Sequence, residues 1–561
     1  MSLLNNRFFL SGLIAAFTFV IFLPSVNNEF ITLDDPAYVL ENDLIKELSV
    51  ESIREIFTTP VVGNYHPLTI LTYALEYAVF GSKPFIYHLD NLLLHILNTF
   101  LVFWFIFGIS KNAIVAGITS LLFGIHPMHV ESVAWVSERK DLLYACFYLA
   151  ALVFYTRYTQ IKKTKFLICA LIFFLFSLLS KAMAVTLPLV FFLIDYLQKR
   201  NISGRSFLEK VPFLLLSITF GIVAIFAQRT AVSIGSDINH SILDKLIFAS
   251  HSLSIYIVKA FAPYKLASFY AYPIKSDGFY PMIYYISPVI ILCFGALVFW
   301  SKKLGREIIF GSLFMLVTII LVLQILPVGA AQMAERYTYL PYIGIFFITG
   351  FVLNYFRLMI THHTSFRLIY YISLISLSVF VIYLSATTWN RTQVWKNSLV
   401  FWTDLVVKYP DQPGAYDARG IEYYKAGNLT AAITDFDRAL ELHPGYWESY
   451  INRGLIRYEN GEIELALADM LETLRYNPSS SRAYFYIGSI HYTKGDFLQC
   501  LQDFSNCIQY NSTFAVAYYN RSLTYEALRQ WSNAYQDAEK AKSLGYPVEA
   551  SYLQDLRNNL N

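Results

Sequence analysis

The chain has 561 residues, of which 56% are hydrophobic, 17% aromatic and only 15% charged. Soluble domains carry about 25% charged residues, so this composition excludes a single soluble enzyme and excludes a disordered chain. The formal net charge of +3 is too close to neutral to mark a nucleic-acid binder, and no nucleic-acid partner is expected.

From the N-terminus, Arg7 precedes an apolar run, Phe8 to Leu23. Pro24-Ser25-Val26-Asn27-Asn28 has no small-residue cleavage pattern, so the run is expected to stay as a first span. Apolar runs then recur at 85–108, 112–125, 142–157, 166–180, 183–197, 211–227, 282–300, 308–326, 338–357 and 368–386. Several are shorter than the ~20 residues a bilayer requires. The segment 242–262 is apolar but interrupted by His251, Ser252, Ser254 and Lys259. Cations set the orientation: Lys162, Lys163 and Lys165; Lys199, Arg200, Arg205 and Lys210; Lys302, Lys303 and Arg306; and His362, His363 and Arg367. All four groups fall on the cytoplasmic side, with Arg7, if 242–262 lies at or dips into the outer face. About 11 spans follow, with the N-terminus inside and the C-terminus outside, and 25–84 becomes an outer loop.

The texture changes near residue 388. Gly420, Gly454, Gly488 and Ser522 are 34 residues apart, and so are Ala432, Ala466, Cys500 and Ala534. Ala415-Tyr416, Ser449-Tyr450, Ala483-Tyr484 and Ala517-Tyr518 keep the same period. This is the period of tetratricopeptide repeats (TPRs), in which small residues let two antiparallel helices approach closely. Trp395, Trp402 and Pro410 fit the second helix of a preceding half-repeat. The expected architecture is all-α: a polytopic membrane bundle over 1–387, then a TPR solenoid over 388–561 of a half-repeat and about four repeats. Tyr416, Tyr450, Tyr484 and Tyr518 are expected in helix packing, and Asn452, Arg453, Asn520 and Arg521 nearer the groove. The five cysteines include no C-x-x-C pair and are read as small buried residues.

Unusual polar residues gather in the outer segments: Asp34-Asp35 before Pro36, His66, the stretch His126 to Asp141, Ser180-Lys181, and Gln332 to Pro341. Charges at span ends are costly to bury and tend to mark function. Asp34 and Asp35 read either as a turn before Pro36 or as a catalytic carboxylate pair. Arg139, Lys140, Lys181 and Arg336 read as an anion site, since Arg and Lys suit phosphate oxygens, or as internal ion pairs with Glu138 and Asp141. His126 and His129 with Glu131 supply too few ligands for a metal site on a segment that Pro127 keeps from being a regular helix. Outward acids and bases above an apolar bundle fit a lipid-linked phosphate donor. The tail would lie among the spans, and a carboxylate would act as general base toward an incoming hydroxyl.

These stretches resemble the transmembrane-and-TPR O-mannosyltransferase family. The resemblance rests on Phe30-Ile-Thr-Leu-Asp-Asp-Pro36, on His126 to Asp141, on Leu179 to Pro188 and on Ala334-Glu-Arg-Tyr-Thr-Tyr-Leu-Pro341. It implies a GT-C glycosyltransferase fold that uses a polyprenyl-phosphate sugar on the non-cytoplasmic face. It also implies that Asp34 or Asp35 is the base, with a divalent metal at that pair left open. His66, Glu138, Glu335 and Tyr337 are carried over as supporting members of the motif stretches. Partners would be membrane lipid, the lipid-linked sugar, and an acceptor or partner protein in the TPR groove. The expected place is a bacterial inner membrane, with the TPR domain periplasmic. The competing readings are a non-catalytic, membrane-anchored TPR scaffold and a lipid-linked glycan transporter.

Overall fold

The computed structural model describes residues 6–201, 203–230, 240–273, 275–276, 278–300, 305–325, 331–360 and 366–560. Lys302, Lys303, His362 and His363, which entered the orientation argument, lie outside these. The chain divides into two compact units, Met1–Phe401 and Trp402–Asn561. The contact boundary falls later than the change of texture at 388 because one helix, Phe366–Val394, runs unbroken through that position.

In the first unit, Pro84–Ser110 packs against Arg7–Phe22, Ala113–Gly124 and Arg139–Ile161, and Arg139–Ile161 packs against Thr164–Ser180. Side-chain caps start two of these helices. Asn6 accepts from the amides of Phe8 and Phe9, and Asn112 from those of Ile114 and Val115. Tyr342–Met359 lies against Arg306–Ile319 and Ala113–Gly124. Small residues permit that approach: a Cβ on Gly344 would overlap the Gly311 carbonyl, and one on Gly350 would lie 2.9 Å from the Val115 carbonyl.

Seven described helices are long and apolar enough to cross a membrane: Arg7–Asn27, Pro84–Ser110, Val136–Ile161, Gly204–Gln228, Met282–Trp300, Tyr342–Met359 and Phe366–Val394. An eighth is possible if Ala113–Gly124 and Pro127–Ala134, bent by 55°, form one span. This differs from the expected eleven. The runs at 166–180 and 183–197 are the shorter apolar helices Thr164–Ser180 and Ala182–Leu197. The run at 308–326 yields the 14-residue helix Arg306–Ile319. Ile242–Lys259 is helical, capped by Ser241 and Asp244 in a reciprocal box.

The segment 25–84, expected as an outer loop, holds helices of its own. Val50–Thr58 and Pro67–Phe80 are built around a core of Tyr38, Val39, Ile45, Ile56, Ile70, Tyr73 and Tyr87. Nor are all cysteines inside: Cys146, Cys500 and Cys507 are buried, but Cys293 is exposed on the apolar helix Met282–Trp300.

The break after Gly124 positions the site. The chain passes through Pro127–His129 and the short helix Val130–Ala134, then Val136–Glu138, before Arg139–Ile161 begins. Backbone groups freed by a broken membrane helix must find partners, and here side chains supply them. His95 meets the Gly124 carbonyl at 3.1 Å, Thr388 donates to Ile125 at 2.7 Å, and Tyr73 donates to Val136 at 2.7 Å. Asn91 donates to Val133 and Trp135, and Asn98 to Leu142. His126 and His129 are also committed to carbonyls, those of Ala260 and Phe123.

In the second unit, helix pairs repeat from Pro413–Lys425 and Leu429–Leu442 to Ala515–Ala527 and Trp531–Ser543, and Ala550–Asn558 closes the array. The 34-residue period has a steric cause. A Cβ on Gly420 would sit 2.7 Å from Phe436, and one on Gly454 2.8 Å from Met470. Between the helices of successive pairs the chain turns through Gly427, Gly461 and Gly495 with φ of 76°, 80° and 80°. A recurrent ion pair also joins the two helices of a pair: Arg419–Asp435, Arg453–Asp469 and Arg521–Asp537, with His491–Asp503 in the third. Arg453 and Arg521 are therefore engaged within the repeats. Tyr450 and Tyr484 stack on Tyr476 and Tyr510.

Candidate active site

Asp34 and Asp35 lie just before the π-helical turn Pro36–Leu40, and they have different environments. Asp35 is fully buried. Its Oδ2 accepts from the Ile31 amide at 2.8 Å, and its Oδ1 accepts from both the amide and the hydroxyl of Ser137. Burial pushes its carboxyl up to about 6, against the opposing effect of these hydrogen bonds. Asp35 thus ties the segment after the first span to the broken segment. Asp34 is half-buried, its carboxylate takes no hydrogen bond from the described residues, and it interacts electrostatically with Lys140. The pair offers a cation only one free carboxylate, a poor donor set for a divalent metal. Among the described residues, no group of three or more His, Cys, Asp or Glu could hold a metal ion.

Next to this pair is a network of six charges. Glu138 is its hub, 3.2 Å from Lys140, 3.6 Å from Lys181 and 3.3 Å from Arg336. Asp141 meets Lys181 at 2.6 Å, and Glu131 pairs with the Arg336 guanidinium and accepts from its amide at 3.0 Å. The acids form a floor and the cations a rim. The side chains of Glu131, Glu138 and Asp141 are 0–2% exposed, whereas Lys140, Lys181 and Arg336 keep 9%, 18% and 19%. Each cation has more donors than the floor occupies. Aromatic faces hold the rim: Lys140 lies 4.8 Å from the Tyr38 ring centroid, and Arg336 lies 5.0 Å from Tyr337 and 5.6 Å from Trp135.

Arg139 is not part of this rim. It is 1% exposed and pairs with Glu76, while its Nε donates to Asn91 and its Nη2 to the Tyr87 carbonyl. Tyr73 and Tyr87 flank it. Of the four cations expected to meet a phosphate, the structure therefore groups three and turns the fourth into the interior. Glu335 is also separate, buried with Tyr270 donating at 3.1 Å and Arg391 forming an ion pair at 3.5 Å. His66 is close to the rim and buried at the start of Pro67–Phe80, its ring centroid 5.3 Å from Tyr38. Burial, then Lys140 and Lys181, lower its imidazole to about 3, so it is neutral.

Sequence reasoning missed Tyr38, Ser137, Trp135 and Glu76 as participants. Glu76 alone had a signal of its own, as an acid inside an apolar helix.

The fold and this network define a helical membrane protein with charged groups gathered at the end of one span and on the segments between spans, followed by a tetratricopeptide array. The Tetratricopeptide repeat family model matches residues 418–472 and 453–498. The chain is similar to protein O-mannosyl-transferases. It is 31% identical over 204 residues to Tmtc1 of Drosophila melanogaster and 36% identical over 134 residues to TMTC3 of Homo sapiens. These matches cover 35% and 22% of this chain, and 23% and 14% of the relatives' own length. Among solved structures, MamA is similar at 18% identity with a TM-score of 0.24, over 26% of this chain and 85% of that one.

Proposed function

We propose that the chain is a membrane glycosyltransferase acting in protein O-glycosylation. It would move a sugar, mannose by the names of its relatives, from a polyprenyl-phosphate donor to a hydroxyl of an extracytoplasmic protein. The observation that carries this reading is the partly exposed rim of Lys140, Lys181 and Arg336 above an acid floor, beside the unbonded carboxylate of Asp34. The rim would hold the donor phosphate while the lipid tail lies among the spans. The acceptor oxygen attacks the anomeric carbon, the bond from that carbon to the phosphate oxygen breaks, and its electron pair leaves with the phosphate. Lys140, Lys181 and Arg336 stabilise the charge that develops there. Asp34 takes the acceptor proton as general base. Asp35 is a positioning residue that holds the Asp34 segment against Ser137. Glu138 spaces the three cations, and the neutral His66 fills the wall beside them without adding charge.

The TPR domain would hold the acceptor or a partner protein, as TPR solenoids do through a concave groove. Read over the eleven apolar runs, the positive-inside pattern supports an N-terminus in the cytoplasm and repeats outside, and we place the chain in a bacterial inner membrane.

The test is glycan analysis in a host lacking the gene, restored with wild type, Asp34→Asn or Lys181→Gln. A hexose mass shift on envelope proteins that returns with wild type and not with Asp34→Asn is the expected result. Equal shifts with all three would sink the transferase reading. A topology reporter after Asn561 that is active only in the cytoplasm would sink the outside placement of the repeats.

A further inference from the structure

The first, second and third repeats line an open cavity of about 390 Å³. Its lining includes a residue that the repeat pattern does not explain. Asp417 stands on the first helix of its repeat, where the other repeats place Ile451, Phe485 and Tyr519 at the same 34-residue offset. An acid at a position otherwise filled by large apolar side chains contradicts the local packing rule, and such contradictions concentrate at functional positions.

Asp417 is 6% exposed. Both hydrogen bonds that it receives, from Ser449 at 2.7 Å and Asn452 at 3.1 Å, go to Oδ1, and Oδ2 accepts none from the described residues although the side chain lines the cavity. The repeat aspartates Asp435, Asp469, Asp503 and Asp537 each have a cationic or histidine partner. Asp417 makes no such ion pair among the described residues, and Arg482 lowers its carboxyl through space by less than burial raises it. A buried carboxylate without one is costly, and burial pushes this one up to about 6. Two further lining residues favour a positive charge: Glu448 supplies a second carboxylate and Trp447 an aromatic surface. Against these two acids the lining has one cation, Arg482, which is exposed.

We propose that this cavity receives an arginine or lysine side chain of a bound polypeptide, with the free oxygen of Asp417 as its counter-ion. The proposal rests on the reading of the repeats as the protein-binding part of the chain, and it is independent of the transfer chemistry at Asp34. Asn452 and Ser449 hold the carboxylate in place, Glu448 adds to the field, and Arg482 sets the limit on affinity by repelling the incoming charge.

The experiment uses the full chain in lipid nanodiscs and a synthetic peptide library in matched sets that differ only by Arg, Lys, Gln or Glu at one central position. The Arg and Lys members should be retained about tenfold over their Gln counterparts, the worth of one charge-assisted hydrogen bond. Asp417→Asn should abolish that preference, and Arg482→Gln, a change at an exposed position, should increase it. Binding without preference for a basic residue, a preference that survives Asp417→Asn or falls with Arg482→Gln, or retention of no peptide at all would overturn the proposal. So would binding of manno-oligosaccharide probes in place of peptides. Loss of peptide binding with glycan transfer intact would separate failure here from failure of the transferase reading.

Discussion

Asp35 and Ser137 are 102 residues apart, yet two hydrogen bonds join them: the Ser137 amide donates to Oδ1 at 2.9 Å and the Ser137 hydroxyl donates to the same oxygen. The neighbouring Asp34 has no such anchor among the described residues. This divides the acidic pair into one residue that builds the site and one that is free to act in it.

That division predicts separable losses. Asp34→Asn should abolish glycan transfer while leaving thermal stability in detergent within about 0.5 kcal/mol of wild type, as for a change at a half-exposed position. Asp35→Ala should lower both, with a stability cost of roughly 1–3 kcal/mol from the donors left unpaired. Melting curves and glycan mass spectra of the two variants decide the matter. Equal destabilisation by both changes would contradict the assignment.

The pH dependence of stability should carry two opposite contributions. The Asp35 carboxyl is raised to about 6 in the folded chain, so between about 4 and 6 the native state holds a proton that the unfolded state has lost. Its contribution is complete below that window and falls as pH rises through it. His66 is lowered to about 3, so below about 6.5 the unfolded state binds the proton that the native state refuses. Its contribution is lost as pH falls. Relative to wild type, Asp35→Asn should therefore gain stability as pH rises from 4 to 6, and His66→Asn as pH falls from 6.5, both measured as melting temperature across pH 4–7. Parallel pH profiles for the two variants would contradict this.

Arg139 and Glu76 form a buried pair. Arg139→Met should destabilise the first unit by ~3–5 kcal/mol, because it strands a buried acid. Adding Glu76→Gln should restore part of that loss, since the Asn91 oxygen and the Tyr87 carbonyl still lack their donor. A double mutant no more stable than Arg139→Met would show that the pairing is not the cause.

The rim cations should act on the donor. Lys181→Gln leaves Glu138 paired with Lys140 and Arg336. It should raise KM for a polyprenyl-phosphate sugar by about tenfold, one charge-assisted contact. Arg336→Gln should do more, since it also releases Glu131. Steady-state kinetics at varied donor concentration would show the effect, and an unchanged KM in both would remove the rim from donor binding.

In the repeats, Arg453 is bound by both Asp469 and Asp437. Arg453→Ala should cost roughly 1–3 kcal/mol, more than an exposed pair would. Arg438→Ala, at an exposed pair with Glu441, should leave the denaturation midpoint close to that of wild type. Chemical denaturation of the full chain, followed by the repeats' far-UV signal, compares the two.

Much of the architecture was legible in the sequence because it depends on local regularities. Apolar runs give helices, and a 34-residue spacing of small residues gives stacked helix pairs, since each glycine faces an aromatic or methionine side chain of its partner helix. The motif stretches also named the neighbourhood of the site. Span count was less legible, because several apolar runs make helices shorter than a bilayer, and the segment 25–84 concealed two helices.

The sequence by itself determined the two-part helical architecture and the residue types gathered near the site. Only the tertiary structure decided what each of those residues touches. Arg139 and Lys140 are adjacent, and their identities suggest one role. At the start of a helix, consecutive side chains point about 100° apart, so one turns inward to Glu76 and the other toward Glu138 and the rim. Asp34 and Asp35 part in the same way, because Ser137, supplied by a distant break in the chain, reaches only the second of them.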